Sequence, residues 1–495
     1  MRKKEAALRY FEEISMIPRS SGHERGVADY LVRFAAERGL WYHRDEMQNV
    51  YIKKPGTAGA ENLPPVVLQG HTDMVCAARP GVEHDFLHDP LQLYMEGDRL
   101  RARGTTLGAD NGVAAAIILA LLTESEAVHP PLECLFTAQE EIGLKGAAAL
   151  DPALITGRRM INLDAGPEGT LLIGAAGGLS LRMEVSAFRQ AMPRNSKFLH
   201  VGVQGLQGGH SGADIGKDRV NAIKLLSMLL VRLKREKIEF TIAAISGGTA
   251  SNVIPRECTA MICLPAARAE ETRAVLAAAA RDAGAMFAAG EPDMRIGVAE
   301  GSMSDIASFA FGEGTGSVLP DGVTDRLLNL LNLLPDGRLR MSHVFPDLVT
   351  LSLNMGVIRT KLNAVEITVS LRAGADSALE ILAADTAQLA SCIGAENIRR
   401  ESPYPAWEPK SSSGLRSLLS ETYRDLRGRE PLIQAVHAGL ECSVISALIP
   451  EMDIVAIGPD MGFYHTPDEW LDVRSLERTY EYVAEALKKM ARNAD

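Results

Sequence analysis

The sequence predicts an α/β protein of two domains: a mixed-sheet domain with an inserted α+β domain. Three observations predict this. Short apolar runs of strand and helix character alternate through the first third of the chain. The same texture returns only at the end, after a long middle stretch of different pattern. The last segment that matches the first part chemically, around His465, lies beyond that middle stretch, so the middle reads as an insertion and not a successor.

The elements follow in order. Ala6 to Ile17 is an amphipathic helical stretch, and Pro65-Val66-Val67-Leu68-Gln69 a short buried strand. Val113 to Leu122 is an Ala/Ile/Leu-rich helix, and Leu132 to Thr137 and Arg159 to Leu163 are strands. In the middle, from about Ala187 to about Pro403, Phe198 to Val203 and Glu366 to Leu371 alternate like strands. Ala222 to Lys234 and Glu270 to Ala283 read as helices there. Two βαβ-like halves are expected, joined by a glycine-rich irregular region from Gly312 to Asp336. Met452 to Ile457 is again a strand, and Val473 to Met490 an amphipathic closing helix. Residues 1–186 plus 404–495 are thus expected to form one domain and 187–403 a second domain inserted into it.

Composition limits the partners. A chain of 495 residues with 46% hydrophobic and 23% charged content can bury more than one core. A formal net charge of -11 without a clustered basic face argues against nucleic acid. The amino-terminal stretch lacks the apolar core and cleavage site of a signal peptide, and no segment approaches the roughly 20 apolar residues that cross a bilayer. A cytoplasmic protein with no membrane partner is expected. Its six cysteines are scattered, without a CxxC pair, and read as reduced core residues.

The chemistry lies in five short segments: Gly70-His71-Thr72-Asp73, Gly108-Ala109-Asp110-Asn111, Gln139-Glu140-Glu141, Asn162-Leu163-Asp164 and Tyr464-His465-Thr466. The first four flank apolar runs, so their polar groups would project from the ends of rigid elements. His71, Asp110, Glu141, Asp164 and His465 offer two imidazoles and three carboxylates, a donor set that suits zinc, cobalt or manganese. If one carboxylate bridges, two ions have three protein ligands each. Two dications against three carboxylates favour a bound hydroxide. Asp73 can then accept the second N–H of His71 and fix its tautomer. Glu140 can take the water's proton and pass it to the leaving amine.

Taken singly, each of these residues is more often a surface or capping group, and Asp110 alone could be an N-cap. Other features favour the plain reading. His84 and His88, with Asp85 and Asp89, sit between Gly81 and Pro90 as a solvated loop; Gly174 to Gly178 lacks the context of a nucleotide site and reads as a turn. Lys234-Arg235-Glu236-Lys237 is the exposed end of a helix, and Met341 and Met355 are core fillers.

The segments Leu68 to Val75, Gly104 to Gly112, Thr137 to Gly146 and Gly208-Gly209-His210-Ser211-Gly212 together resemble the M20 metallopeptidases. With His437 to Cys442, Ile457 to Asp460 and His465 to Glu469, the resemblance is to the aminoacyl-histidine (Xaa-His, carnosinase-like) dipeptidase branch, nearly from end to end. It implies that Asp110 bridges two metal ions, zinc foremost and cobalt or manganese as alternatives. Glu141 and His465 would complete one site, His71 and Asp164 the other. It implies Glu140 as general base, Asp73 as the partner of His71, and a cis peptide between Asp110 and Asn111. His210 matches the histidine that polarises the scissile carbonyl, often from the opposite subunit of a homodimer. Asn252 and Arg372 match substrate-binding positions, while His437 and Glu441 match positions that either contact the substrate or support the residues that do. The resemblance also implies that 1–186 plus 404–495 is the catalytic domain and 187–403 a lid or dimerisation domain. The expected activity is hydrolysis of dipeptides of Xaa-His or β-alanyl-histidine type. An N-acyl amino acid amidohydrolase and a non-catalytic peptide-binding relative are the alternatives, and the presence of Glu140 speaks against the last.

Overall fold

The structure is a computed structural model that describes residues 6–125, 127–302, 305 and 317–492. Its contacts divide the chain into two compact units. The first holds residues up to Ala175, Trp407–Ala435 and everything from Leu440 on; the second holds Ala176–Ala406 and Val436–Gly439.

The first unit is built on an eight-stranded sheet in the order Trp41–Arg44, Val50–Lys54, Leu132–Thr137, Val66–His71, Arg159–Asn162, Asp453–Ala456, Thr170–Ala175, Leu432–Val436. The inner strands Leu132–Thr137, Val66–His71, Arg159–Asn162 and Asp453–Ala456 are parallel, with antiparallel strands outside them. Two of the parallel strands, Val66–His71 and Leu132–Thr137, are buried at every position, which is why they read as continuous apolar runs and not as alternation. The helix Ala109–Thr123 is buried on all faces from Asn111 to Leu122, so it too carries no polar stripe. A smaller sheet of Met461–Gly462, Trp470–Asp472, Arg99–Ala102 and Leu93–Glu96 accompanies it. The closing helix runs Val473–Arg492 and buries Leu476, Tyr480, Val483 and Leu487 on one stripe.

The second unit is a nine-stranded sheet covered by the helices Ala222–Arg235, Ala269–Phe287, Asp321–Leu333 and Asp376–Ile393 around a large core, with smaller buried clusters around Phe198 and Met261 and around Ile215 and Ile254. Every described strand pair in it is antiparallel, so the expected βαβ halves are not formed. Period-two alternation marks a half-buried strand but carries no direction. The expected irregular region also differs. Residues 312–316 lie outside the described residues, but Asp321–Leu333 is a helix that buries Val323, Leu327, Leu328 and Leu331, spaced as one helical face.

The expected boundary at 186/187 falls after a strand that belongs to the second sheet. Gly177–Ser186 lies between Ala364–Ala373 and Glu396–Tyr404, with Leu179, Leu181, Met183 and Val185 in the second core. Nor is Gly174 to Gly178 a turn: one strand ends at Ala175, the next begins at Gly177, and only Ala176 separates them.

The remaining plain readings agree in part with the structure. His88 Nδ1 pairs with Asp85 Oδ2 at 2.7 Å in an exposed loop, Met355 is fully buried and Met341 half-buried, and all six cysteines are free, but only Cys134, Cys258, Cys263 and Cys442 are buried, with Cys76 half-buried and Cys392 exposed. Among the described residues no helix is long and apolar enough to cross a membrane.

Candidate metal centre

Parallel strands end together, so side chains just beyond their carboxyl ends converge. His71 is the last residue of its strand, Glu140 and Glu141 follow Thr137 by three and four residues, and Asp164 follows Asn162 by two. Asp110 enters from the start of the buried helix, and His465 from the segment between Met461–Gly462 and Trp470–Asp472. All five expected ligands meet. His71 Nε2 stands 3.1 Å from Asp110 Oδ1 and 3.8 Å from Asp164 Oδ2. His465 Nε2 stands 3.4 Å from Asp110 Oδ2 and 3.0 Å from Glu141 Oε1. Asp110 therefore turns one oxygen to each histidine. Ligand atoms of His71, Asp110 and Glu141 all lie within 4.8 Å of one another.

The electrostatics are those of a site short of positive charge. Burial alone would lower His71, but Asp164, Asp110 and Asp73 outweigh it and hold its imidazolium well above the ordinary range. Contacts with Asp110 and Glu141 push His465 up to about 10. Burial, with the neighbouring Asp110 carboxylate, holds Asp164 well above the usual carboxylate range. Burial does the same to Glu140, reinforced by Glu141 and Asp164 and opposed by His71. Two imidazoles and three crowded carboxylates fit divalent cations, which neutralise the acids without needing protonated histidines.

A ring of hydrogen bonds behind the ligands fixes their backbone. Asp73 faces His71, with Oδ1 at 3.4 Å from Nδ1, and also accepts the N–H groups of Glu140 and Glu141 at 3.0 and 3.2 Å and the Ser21 hydroxyl at 2.7 Å. Asn111 donates to the carbonyl of Leu163 at 2.9 Å, next to Asp164. The peptide between Asp110 and Asn111 is cis, as the resemblance implies. Two members of this ring escaped the sequence reading, Arg19 and Glu469, both buried and both bonded to backbone groups. Glu441, expected either at the substrate or behind the ligands, is fully buried and accepts from Gln69 Nε2 and Thr137 Oγ1, both at 2.6 Å. Burial pushes it up to about 7. Those contacts seat the helix Glu441–Leu448 on the strands that carry His71 and lead to Glu140.

The other expected residues gather in the second unit. His210 pairs with Val253 in a two-residue ladder, which places Asn252 beside it, and Ser211 N–H donates to the Asn252 carbonyl at 2.8 Å. His210 Nδ1 accepts the N–H groups of Gly212 and Ala213 at 3.2 and 3.1 Å. Nδ1 is therefore the acceptor, and Nε2 carries the proton. The Arg372 guanidinium lies 3.5 Å from that Nε2 and donates to the Tyr404 hydroxyl at 2.5 Å. Two donors stand side by side, suited to a shared oxygen acceptor. His437 Nε2 meets the Ser352 hydroxyl at 2.7 Å, while its buried Nδ1 has no hydrogen-bond partner among the described residues.

Burial, together with the nearby Arg372 guanidinium, pushes His437 down to about 3. An unfolded histidine titrates near about 6.5. Between those values the unfolded chain binds a proton that the folded chain refuses, so stability falls as pH drops through that window, by at most about 1.4 kcal/mol per pH unit. Chemical unfolding followed across this range should show a shallower acid loss in His437→Gln than in wild type. Equal acid sensitivity would assign the effect to another group.

Comparison with known proteins agrees with this geometry. The model of peptidase family M20/M25/M40 matches residues 67–489. Over 480 residues the chain is 36% identical to the cytosol non-specific dipeptidase of Escherichia coli (strain K12), covering 97% of this chain and 96% of that relative. The crystal structure of aminoacylhistidine dipeptidase from Vibrio alginolyticus is similar with a TM-score of 0.82 at 33% identity, over 98% of this chain and 96% of that one. An aminopeptidase from Bacillus cereus, at 15% identity and a TM-score of 0.56 over 99% of each chain, shares the fold. With a family match over most of its length and a relative alike nearly from end to end, the chain belongs to peptidase family M20/M25/M40 and is a peptide-bond hydrolase.

Proposed function

We propose that the chain is a cytoplasmic, metal-dependent dipeptidase, a homodimer that cleaves dipeptides with a free amino end, Xaa-His peptides among them. The observation that carries this is the meeting of His71, Asp110, Glu141, Asp164 and His465 around one carboxylate with an oxygen toward each histidine. These five residues would hold two divalent ions, zinc foremost, with Asp110 between them, Glu141 and His465 on one side and His71 and Asp164 on the other. When bound, such ions polarise the scissile carbonyl and make water a nucleophile at neutral pH.

The chain's own groups do the rest. Glu140 takes a proton from the attacking water and returns it to the leaving nitrogen. Asp73 holds the His71 ring through its second nitrogen. His210 donates its Nε2 proton to the oxygen that gains charge, and Arg372 pairs with the substrate carboxylate. Tyr404 is a neutral partner for Arg372, which leaves the guanidinium's charge for an anion. Asn252 and His437 lie close enough to His210 and Arg372 to shape the same subsite. The names of the two relatives differ on breadth, non-specific in one and aminoacylhistidine in the other.

Turnover of carnosine, a panel of Xaa-His and other dipeptides, and N-acetyl amino acids, before and after chelation and zinc readdition, tests the reading. Dipeptides should be cleaved, activity should vanish with the chelator and return with zinc. Cleavage of N-acetyl amino acids alone would replace it with the amidohydrolase reading, and full activity after verified metal removal would remove the metal role.

A further inference from the structure

Two buried charges serve the backbone of the metal centre and not its ligands. Arg19 is 1% exposed and Glu469 3%. The turn that carries Asp110 cannot satisfy its own polar groups in a regular helix, because Gly108 is left-handed at φ 65° and both Asp110 and Asn111 leave the helical region. Glu469 accepts the N–H groups of Leu107, Gly108 and Asp110 at 2.7, 2.9 and 3.2 Å. Arg19 donates to the carbonyl of the same Gly108 at 2.6 Å and to those of Thr72 and Asp73 at 3.0 and 3.3 Å.

The positions of these partners matter. Thr72 and Asp73 directly follow His71, Glu469 follows His465 by four residues, and Gly108 precedes Asp110 by two. Two side chains thus tie the three ligand-bearing segments together through one residue, Gly108. The glycines of the motif permit it: a Cβ on Gly108 would run into Arg19 Nη2, and one on Gly112 would stand 2.8 Å from it. Burying a guanidinium and a carboxylate is costly, and apolar residues would pack the same space at less cost, so a purely stabilising role is a poor account of them.

We propose that Arg19 and Glu469 are positioning residues that set the spacing of His71, Asp110 and His465 before a metal ion binds. The proposal rests on reading those three as ligands. Arg19→Lys keeps the charge but not the fork that reaches three carbonyls, and Glu469→Gln presents an amide N–H where the carboxylate accepted one. Each variant should bind Zn²⁺, measured by competition with a chelator, about 10- to 100-fold more weakly than wild type, the scale for groups that orient metal ligands. The visible spectrum of the Co²⁺ form should shift, and kcat should fall with KM for a dipeptide little changed.

Folded variants with wild-type Zn²⁺ affinity and an unaltered Co²⁺ spectrum would overturn the proposal. Should either single variant fail to fold, the charge-balanced pair Arg19→Met with Glu469→Gln carries the same test, since neither charge is then left buried alone. Wild-type protein that binds neither Zn²⁺ nor Co²⁺ would instead remove the ligand reading itself, an outcome separate from variants that bind as wild type does.

Discussion

Glu140→Gln is expected to keep its metal ions and lose about 10²- to 10⁴-fold in turnover, the usual worth of one general base. The substitution is nearly isosteric, and Glu140 is proposed as the base and not as a ligand. Its backbone N–H donates to Asp73 at 3.0 Å, a bond that an amide side chain leaves intact. The position of the side chain is therefore preserved while its ability to accept a proton is lost. KM should change little, because the effect falls on the step in which water attacks. Metal content by elemental analysis and steady-state kinetics on one preparation decide it. Near-normal turnover with full metal content would assign the base to another group, and lost metal would make Glu140 a ligand.

How much of this was legible in the sequence depends on the partners each residue needs. The strands Val66–His71, Leu132–Thr137 and Arg159–Asn162 are short apolar runs bounded by polar motifs, and they appear within one or two residues of where those runs predict them. The motif residues beyond them were legible only together, since one carboxylate or imidazole at a strand end is more often a surface or capping group, whereas five in this order resemble a known family. Arg19 and Glu469 were not. Their partners are backbone groups, which every residue possesses, drawn from segments up to several hundred positions away. Only the spacing of Glu469 from His465, within a segment already singled out, was a usable signal. For Glu441 the resemblance left two roles open, at the substrate or behind the ligands, and its bonds to Gln69 and Thr137 in the sheet support the second. The second unit lost its expected βαβ halves because strand direction is decided by which neighbours pair, and alternation such as that of Gly177–Ser186 is the same in either direction.

His210→Ala is expected to depress turnover by about 10²- to 10³-fold, the scale for removing one donor to a developing oxyanion, with Zn²⁺ affinity nearly unchanged. The local geometry prepares the ring for that role. Two backbone N–H groups occupy Nδ1, so the imidazole presents a neutral Nε2–H donor without needing to be protonated, and Asp214 holds the His210 backbone N–H at 2.9 Å. Arg372 beside it supplies fixed positive charge. A donor of this kind acts only when an oxygen gains charge, so kcat should fall more than KM rises. Unchanged turnover would remove His210 from the mechanism. Whether the residue serves its own chain or the other chain of a dimer is settled by mixing. If it acts across the dimer, His210→Ala protein combined with Glu140→Gln protein under verified subunit exchange should recover part of the activity, because a hybrid then contains one site with both groups intact. Absence of recovery under the same exchange would place His210 and Glu140 of each working site on a single chain.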